Sequence, residues 1–259
     1  KTDTVTNGLK LIGNRTSQYI PIDISGSFNA NVTDIFRNKY LAPRSPYTTL
    51  QIPVQGMGEW CHPQECDSIC DNGLRKSIIN GTLTLNIEDK KIPFLSPQKG
   101  KNIIFTSLWN NYANKVELPL KGKAQGLYLM MAGSTNHMQC YMENARITVT
   151  YKDGSKASLP LIPPTNWCPI EQDYYVDGLA FKLKTTRPYR FCLQSGIVSN
   201  DLGKILHLKG PMERKIKGGA GIILCMPLNE KKELSSMQIQ TLSNDVVVGL
   251  MAATLIATN

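Results

Sequence analysis

The chain has 259 residues, with 29 Lys and Arg against 20 Asp and Glu, a formal net charge of +9, 41% hydrophobic and 19% charged residues. That composition excludes a disordered chain and leaves ample apolar side chain for a large core. The basic residues form short scattered groups (Lys90–Lys91, Lys121–Lys123, Arg214–Lys215–Lys217, Lys231–Lys232) with no run of five and no nucleic-acid motif. They read as solvated surface and argue against nucleic acid as a partner.

The N-terminal "KTDTVTNGLKLIGNRTS" is polar and shows no signal peptide, so any export signal is expected to have been removed or omitted. "VTDIFRNKY" (32–40) is predicted as the one short helix. "YLAPRSPYTTLQIP" (40–53) holds Arg44 between two prolines, a rigid presentation that suits a ligand or an internal ion pair equally. "EWCHPQECDSIC" (59–70) places Cys61, Cys66, Cys70 and His62 within ten positions. Zinc sites pair such ligands with a second pair at a distance, and none is present, so the block reads as a loop and no metal is expected. A Cys61–Cys66 or Cys66–Cys70 bridge suits an exported protein. Cys192 and Cys225 lie in apolar runs and read as buried hydrophobes, so seven cysteines do not make a disulfide framework.

From residue 78 onward the dominant period is two. Asn80-Gly81 predicts a tight hairpin, followed by "TLTLNIE" (82–88) with Leu83, Leu85 and Ile87 on one face. "KVELPLK", "RITVTY" and "MQIQTL" alternate in the same way, and Asp153-Gly154 predicts a second hairpin turn. "NIIFTSLW", "GLYLMMAG" and "GIILCMPL" are continuously apolar, the signature of strands buried on both faces. No stretch of 12 or more residues has helical periodicity, and the longest apolar run, Val246–Ala257, is too short to span a bilayer. The predicted fold is all-β with little helix: an antiparallel two-sheet sandwich or jelly roll, one domain over 1–259, elaborated by residues 1–75.

The three tryptophans stand beside polar residues at strand ends: Trp60, Trp109 (with Asn111 and Tyr112) and Trp167. An aromatic face flanked by amides and carboxylates is what sugar recognition uses, the ring packing on C–H groups while polar atoms take hydroxyls. "NWCPIEQDYYVDG" (166–178) adds Glu171, Asp173, Tyr174, Tyr175 and Asp177. Its carboxylates suit glycoside hydrolysis, calcium binding or simple backbone capping, and no calcium-loop spacing is present. The candidate ligand-binding set is therefore Trp60, Trp109, Asn111, Tyr112, Trp167, Glu171, Asp173 and Tyr174. An enzymatic alternative, a glycoside hydrolase or polysaccharide lyase, would use Glu59, Glu171 and Asp173, or His62 and His137 with Tyr174 as proton shuttles.

"YLAPRSPYTTLQIPVQGMGEWCHP", "FTSLWNNYANKVELPLKGKA", "YLMMAGSTNHMQ", "ITVTYKDG", "NWCPIEQDYY" and "SNDVVVGLMAATL" together resemble an exported Bacteroidetes family of unknown function, number 4450, from about residue 20 to the C-terminus. The resemblance implies a jelly-roll or galactose-binding-like accessory sandwich that accompanies glycosidase-like toroids in polysaccharide utilisation. It also implies a periplasmic or cell-surface location, a carbohydrate ligand, a glycosidase-like partner domain and no cofactor. Two positions depart from the family pattern: Cys168, where a second tryptophan is expected, and Cys140, where a small polar residue is expected. Three functions follow as expectations: a non-catalytic carbohydrate-binding module, a loop-borne glycosidase or lyase, or a structural packing partner of a catalytic domain.

Overall fold

The computed structural model describes residues 1–37, 68–109, 111–135, 139–178, 181–210, 213–244 and 246–258. It is mostly β, 42% strand and 9% helix, with antiparallel sheets packed against each other. The strands are β1 (Thr2–Thr4), β2 (Tyr19–Ile22), β3 (Ile78–Ile79), β4 (Thr82–Ile87), β5 (Lys90–Leu95), β6 (Ile104–Ser107), β7 (Lys115–Pro119) and β8 (Ala124–Ser134). They continue as β9 (Ala145–Tyr151), β10 (Lys156–Leu161), β11 (Tyr189–Cys192), β12 (Val198–Ser199), β13 (Ala220–Pro227), β14 (Leu234–Thr241) and β15 (Val247–Ala257).

A central sheet runs β12-β11-β13-β8-β15-β2, with β6 also on β15. A five-stranded sheet, β1-β10-β9-β14-β7, covers one face, and the small β3-β4-β5 sheet lies over the other. The continuously apolar runs are the middle of the central sheet, as two-faced burial requires. Within β8 the alternation is still visible. Leu127, Leu129 and Met131 join the core with Ile147, Val149, Met237 and Ile239 of the five-stranded sheet. Tyr128, Met130 and Ala132 join the second core with Leu83, Leu85, Ile92 and Phe94 of the small sheet. Side chains of period two thus feed two cores from one strand.

Both predicted turns form. Asn80 and Gly81 take φ of 50° and 76° between the paired residues Ile79 and Thr82, the left-handed conformation a two-residue hairpin needs. Gly154 takes φ of 81° between β9 and β10, where the Asp153 carboxylate accepts from the Ser155 backbone at 2.9 Å.

Three details differ from expectation. β1 pairs with β10 in parallel, an edge strand supplied by the N-terminus. The predicted 32–40 helix is a single 3-10 turn, Val32–Asp34, within the described residues; Val32 and Ile35 are drawn into the second core and Asn102 Oδ1 accepts from the Val32 backbone at 2.9 Å. Residues 38–40 lie outside the described set. Two short helices without a sequence period long enough to reveal them, α1 (Asn72–Lys76) and α2 (Leu202–Ile205), fill loops. Among the described residues no helix is long and apolar enough to cross a membrane.

Close packing of the central sheet is testable at Gly133. A Cβ there would collide with the Val247 carbonyl oxygen and lie 2.7 Å from Trp167 Cζ2. Gly133→Ala is expected to destabilise by about 1–3 kcal/mol through overpacking. Gly26→Ala, where a Cβ meets nothing within 4 Å, should stay within about 0.5 kcal/mol of wild type in the same denaturation series.

Candidate functional site

The two described tryptophans, Trp109 and Trp167, do not form a solvent-facing platform. Trp109 is 3% exposed: its backbone N–H donates to Ser107 Oγ at 3.1 Å and its indole Nε1 donates to the Asn244 carbonyl at 2.8 Å. Trp167 is fully buried against the central sheet at Gly133. Hydrogen bonds fasten the Trp109 ring inside and packing encloses Trp167, so both rings expected in a loop-aromatic site lie away from solvent. Asn111 and Tyr112 are half-buried, with the Tyr112 ring packed at 5.3 Å on Phe105. Trp60, Glu59, His62, Cys61, Cys66, Arg44 and His137 lie outside the described residues.

Residues 166–178 also turn inward. The Asn166 side chain donates to the carbonyls of Asn7 and Pro160 and accepts from the Ile162 N–H at 2.7 Å, pinning the bend after β10. Asp173 is buried, and its carboxylate caps the 3-10 turn Tyr174–Val176 by accepting from the Tyr175 backbone at 2.9 Å. Tyr174 stacks on Phe181 at 4.2 Å and 9°, with the Arg214 guanidinium 5.4 Å from each ring. Arg214 donates to Gln172 Oε1 at 2.8 Å and pairs with Asp177 at 3.3 Å. Beneath them Arg190, 1% exposed, donates to the carbonyls of Gln172 (2.6 Å), Ala220 (2.8 Å) and Pro169 (2.9 Å).

This is a polar staple between a loop and the central sheet. Glu171 and Asp173 are both buried, so no open face lies over them for a glycosidic bond. Burial, with Cys140 and Glu171 beside it, pushes the Tyr174 phenol well above its ordinary 10.0, which holds it protonated and unsuited to shuttling protons at neutral pH. Burial likewise pushes Cys140 and Cys225 up to about 12 and raises Cys168. Among the described residues Cys70, Cys140, Cys168, Cys192 and Cys225 carry free thiols; the expected bridges at Cys66 involve a residue outside the described set. No group of three or more His, Cys, Asp or Glu among the described residues could hold a metal ion.

The outer face of the five-stranded sheet carries a trough of about 480 Å³ lined by Thr, Ser, Gln and Lys with Glu117 and Arg146 and no aromatic ring. Arg146 is already tied to Glu143 by two 2.6 Å bonds. A ring and carboxylates meet instead at the β4–β5 hairpin. Glu88 and Asp89 form its turn between the paired residues Ile87 and Lys90, with Glu88 at φ 55°. A side chain held in that conformation costs on the order of 1 kcal/mol, so the surroundings must fix it.

Lys90 supplies the fixing charge. It is 6% exposed, and its Nζ donates to Glu88 Oε2 at 3.0 Å and Asp89 Oδ1 at 2.9 Å. Tyr189 Oη donates to Glu88 Oε1 at 3.3 Å. Two cavities meet at Glu88. One, of about 560 Å³, has Tyr19, Asn86, Asp89 and Lys90 in its wall, and the other, of about 430 Å³, has Leu9, Leu11 and Thr185. Tyr19 is half-buried, set T-shaped against the buried Tyr128 at 6.2 Å.

Burial alone depresses the Lys90 ammonium, but the hydrogen bonds it donates to Asp89 and Glu88 outweigh this and leave its pKa above the ordinary 10.5. The Lys90 hydrogen bond holds Asp89 below its ordinary 3.8. Lys90 therefore contributes stability that is present below 10.5 and lost as pH rises through its higher folded value. Asp89 contributes stability that is present above 3.8 and lost as pH falls through its lower folded value. The ion triad is intact between. Sequence reading placed Lys90 on the solvated surface; its pairing with the inward Ile87 across a two-residue turn puts it on the inward face.

No protein-family model matches the chain, and no curated protein sequence matches it.

Two outcomes check this geometry. Trp167→Ala should destabilise by about 3–5 kcal/mol, the cost of a large core cavity, read as a fall in denaturation midpoint. On the native protein at pH 8, iodoacetamide should leave the Cys168, Cys192 and Cys225 peptides unmodified, and it should label all three in guanidinium, as peptide mass spectrometry would show.

Proposed function

We propose that the protein is a non-catalytic, carbohydrate-binding accessory β-sandwich of an exported polysaccharide-processing system, and that its saccharide lies in the cleft beside Glu88. The observation that carries this reading is the half-exposed Tyr19 ring beside two carboxylates that the buried Lys90 holds in place. A sugar offers a C–H face and hydroxyls that donate. The ring matches the first, and oxygens fixed before binding match the second with little entropy lost on association. The reading takes up the resemblance proposed from the sequence segments, which no family model matches. The burial of Glu171, Asp173 and Tyr174 weighs against an enzyme built on them.

One observation favours a second reading. Every described tryptophan is buried, as in a sandwich that only packs against a catalytic domain.

Calorimetric titration of plant and microbial oligosaccharides separates the two. Binding is expected near millimolar, and Tyr19→Ala, with its melting curve recorded as a control, should weaken it about five- to tenfold, the worth of one stacking ring. Glu88→Gln, which keeps shape but loses the charge that Lys90 holds, should weaken it similarly. Absence of binding by any glycan moves the packing-partner reading into first place. Binding that Tyr19→Ala leaves unchanged removes the cleft as the site.

A further inference from the structure

We infer that the Glu88 cleft selects acidic saccharides, taking chains that carry sugar carboxylates in preference to neutral ones; this rests on the proposed carbohydrate reading. The inference comes from how charge is distributed around the cleft. Its walls hold four cations, Lys10, Arg15, Lys90 and Lys91, and two carboxylates, Glu88 and Asp89. Lys90 alone engages both carboxylates, at 3.0 Å and 2.9 Å. The other three cations are exposed, and none has a carboxylate within 4.0 Å among the described residues.

The burial of Lys90 is what makes this arrangement selective. An exposed lysine would share the carboxylates with water and leave them free to repel an acidic ligand. A lysine that is 6% exposed has no comparable alternative partner, so it stays paired with both acids and leaves the triad a single negative charge, which the three exposed cations outweigh. Tyr19 and Tyr189 add no negative charge: burial raises both phenols above 10.0. What faces the solvent from the rim is then a surplus of positive charge on a chain whose net charge is +9.

The cations are also placed on both sides of Glu88, Lys10 at one cavity and Arg15 with Lys91 at the other. Acidic groups on a saccharide that passes Glu88 would meet a cation on each side, while the Tyr19 ring takes a C–H face. The planar Arg15 guanidinium suits a carboxylate through two parallel hydrogen bonds.

The test is calorimetric titration with a galacturonic-acid trisaccharide, its fully methyl-esterified form, and a sulfated galactose oligosaccharide. The acid should bind at least tenfold more tightly than the ester, with an advantage that shrinks as salt rises from 50 to 300 mM, because exposed charges are screened. Arg15→Gln combined with Lys91→Gln should abolish the advantage, bringing acid and ester to equal affinity. Lys121→Gln combined with Lys123→Gln, outside the cleft, should leave the advantage intact; if it is lost equally there, general positive charge is responsible and the inference falls. Equal binding of acid and ester overturns the inference and preserves the carbohydrate reading. Binding of neither acid, ester nor any neutral glycan overturns both. Binding of the sulfated chain alone overturns the assignment to carboxylates.

Discussion

The structure depends on a central sheet buried on both faces. In β8, β13 and β15 nearly every side chain is removed from water, so the sheet cannot exist without a cover on each side. Its backbone groups are satisfied by the ladder, which leaves shape as the remaining demand. Glycines answer it where neighbours come closest: a Cβ at Gly221 would lie 2.6 Å from the Met131 carbonyl, and one at Gly249 would lie 2.7 Å from that of Ala132. The register shift at Leu250/Ala252 bends β15 so that it can pair with β8, β2 and β6 along its length.

Loops have to close over the ends of this sheet, and they do so with buried polar groups that are hydrogen-bonded to backbone. Arg190 gathers the carbonyls of Gln172, Pro169 and Ala220, joining the 166–178 loop to β11 and β13. At the other core, Asn102 bridges the Val32 backbone and Asp71, and Asp71 pairs with Arg75 at 2.9 Å. Each arrangement satisfies groups that would cost about 1–3 kcal/mol if buried alone. The aromatic and acidic residues of the 166–178 loop serve this closure. That is why a segment rich in the residue types of a sugar site lies out of reach of a sugar.

Lys90 follows the same logic at the surface. It begins β5 on the inward side of the hairpin, where the ladder Ile87↔Lys90 fixes its direction and the carboxylates of the turn accept its ammonium. A structural solution to one inward lysine thereby leaves two oriented carboxylates and the adjacent Tyr19 ring lining a cleft, with the Tyr189 phenol donating to Glu88. Stability and the candidate binding surface have a common cause.

Period two in "TLTLNIE", "RITVTY" and "MQIQTL", unbroken apolarity in "GLYLMMAG" and "GIILCMPL", and the Asn80-Gly81 and Asp153-Gly154 turns were enough to determine strands, hairpins, a mostly antiparallel β architecture and which strands lie in the middle. These are local properties, set by side-chain alternation and by φ preferences within a few residues. Sequence also identified Cys192 and Cys225 as buried. It could not show that Trp109 and Trp167 point inward, because a strand end beside Asn or Pro looks the same whether the next turn folds over the core or away from it. Nor could it show that Tyr19, Glu88, Lys90 and Tyr189 meet, since Tyr189 Oη reaches Glu88 across 101 positions of chain. Burial and assembly of a site are decided by long-range pairing of whole sheets, and only the tertiary structure supplies that.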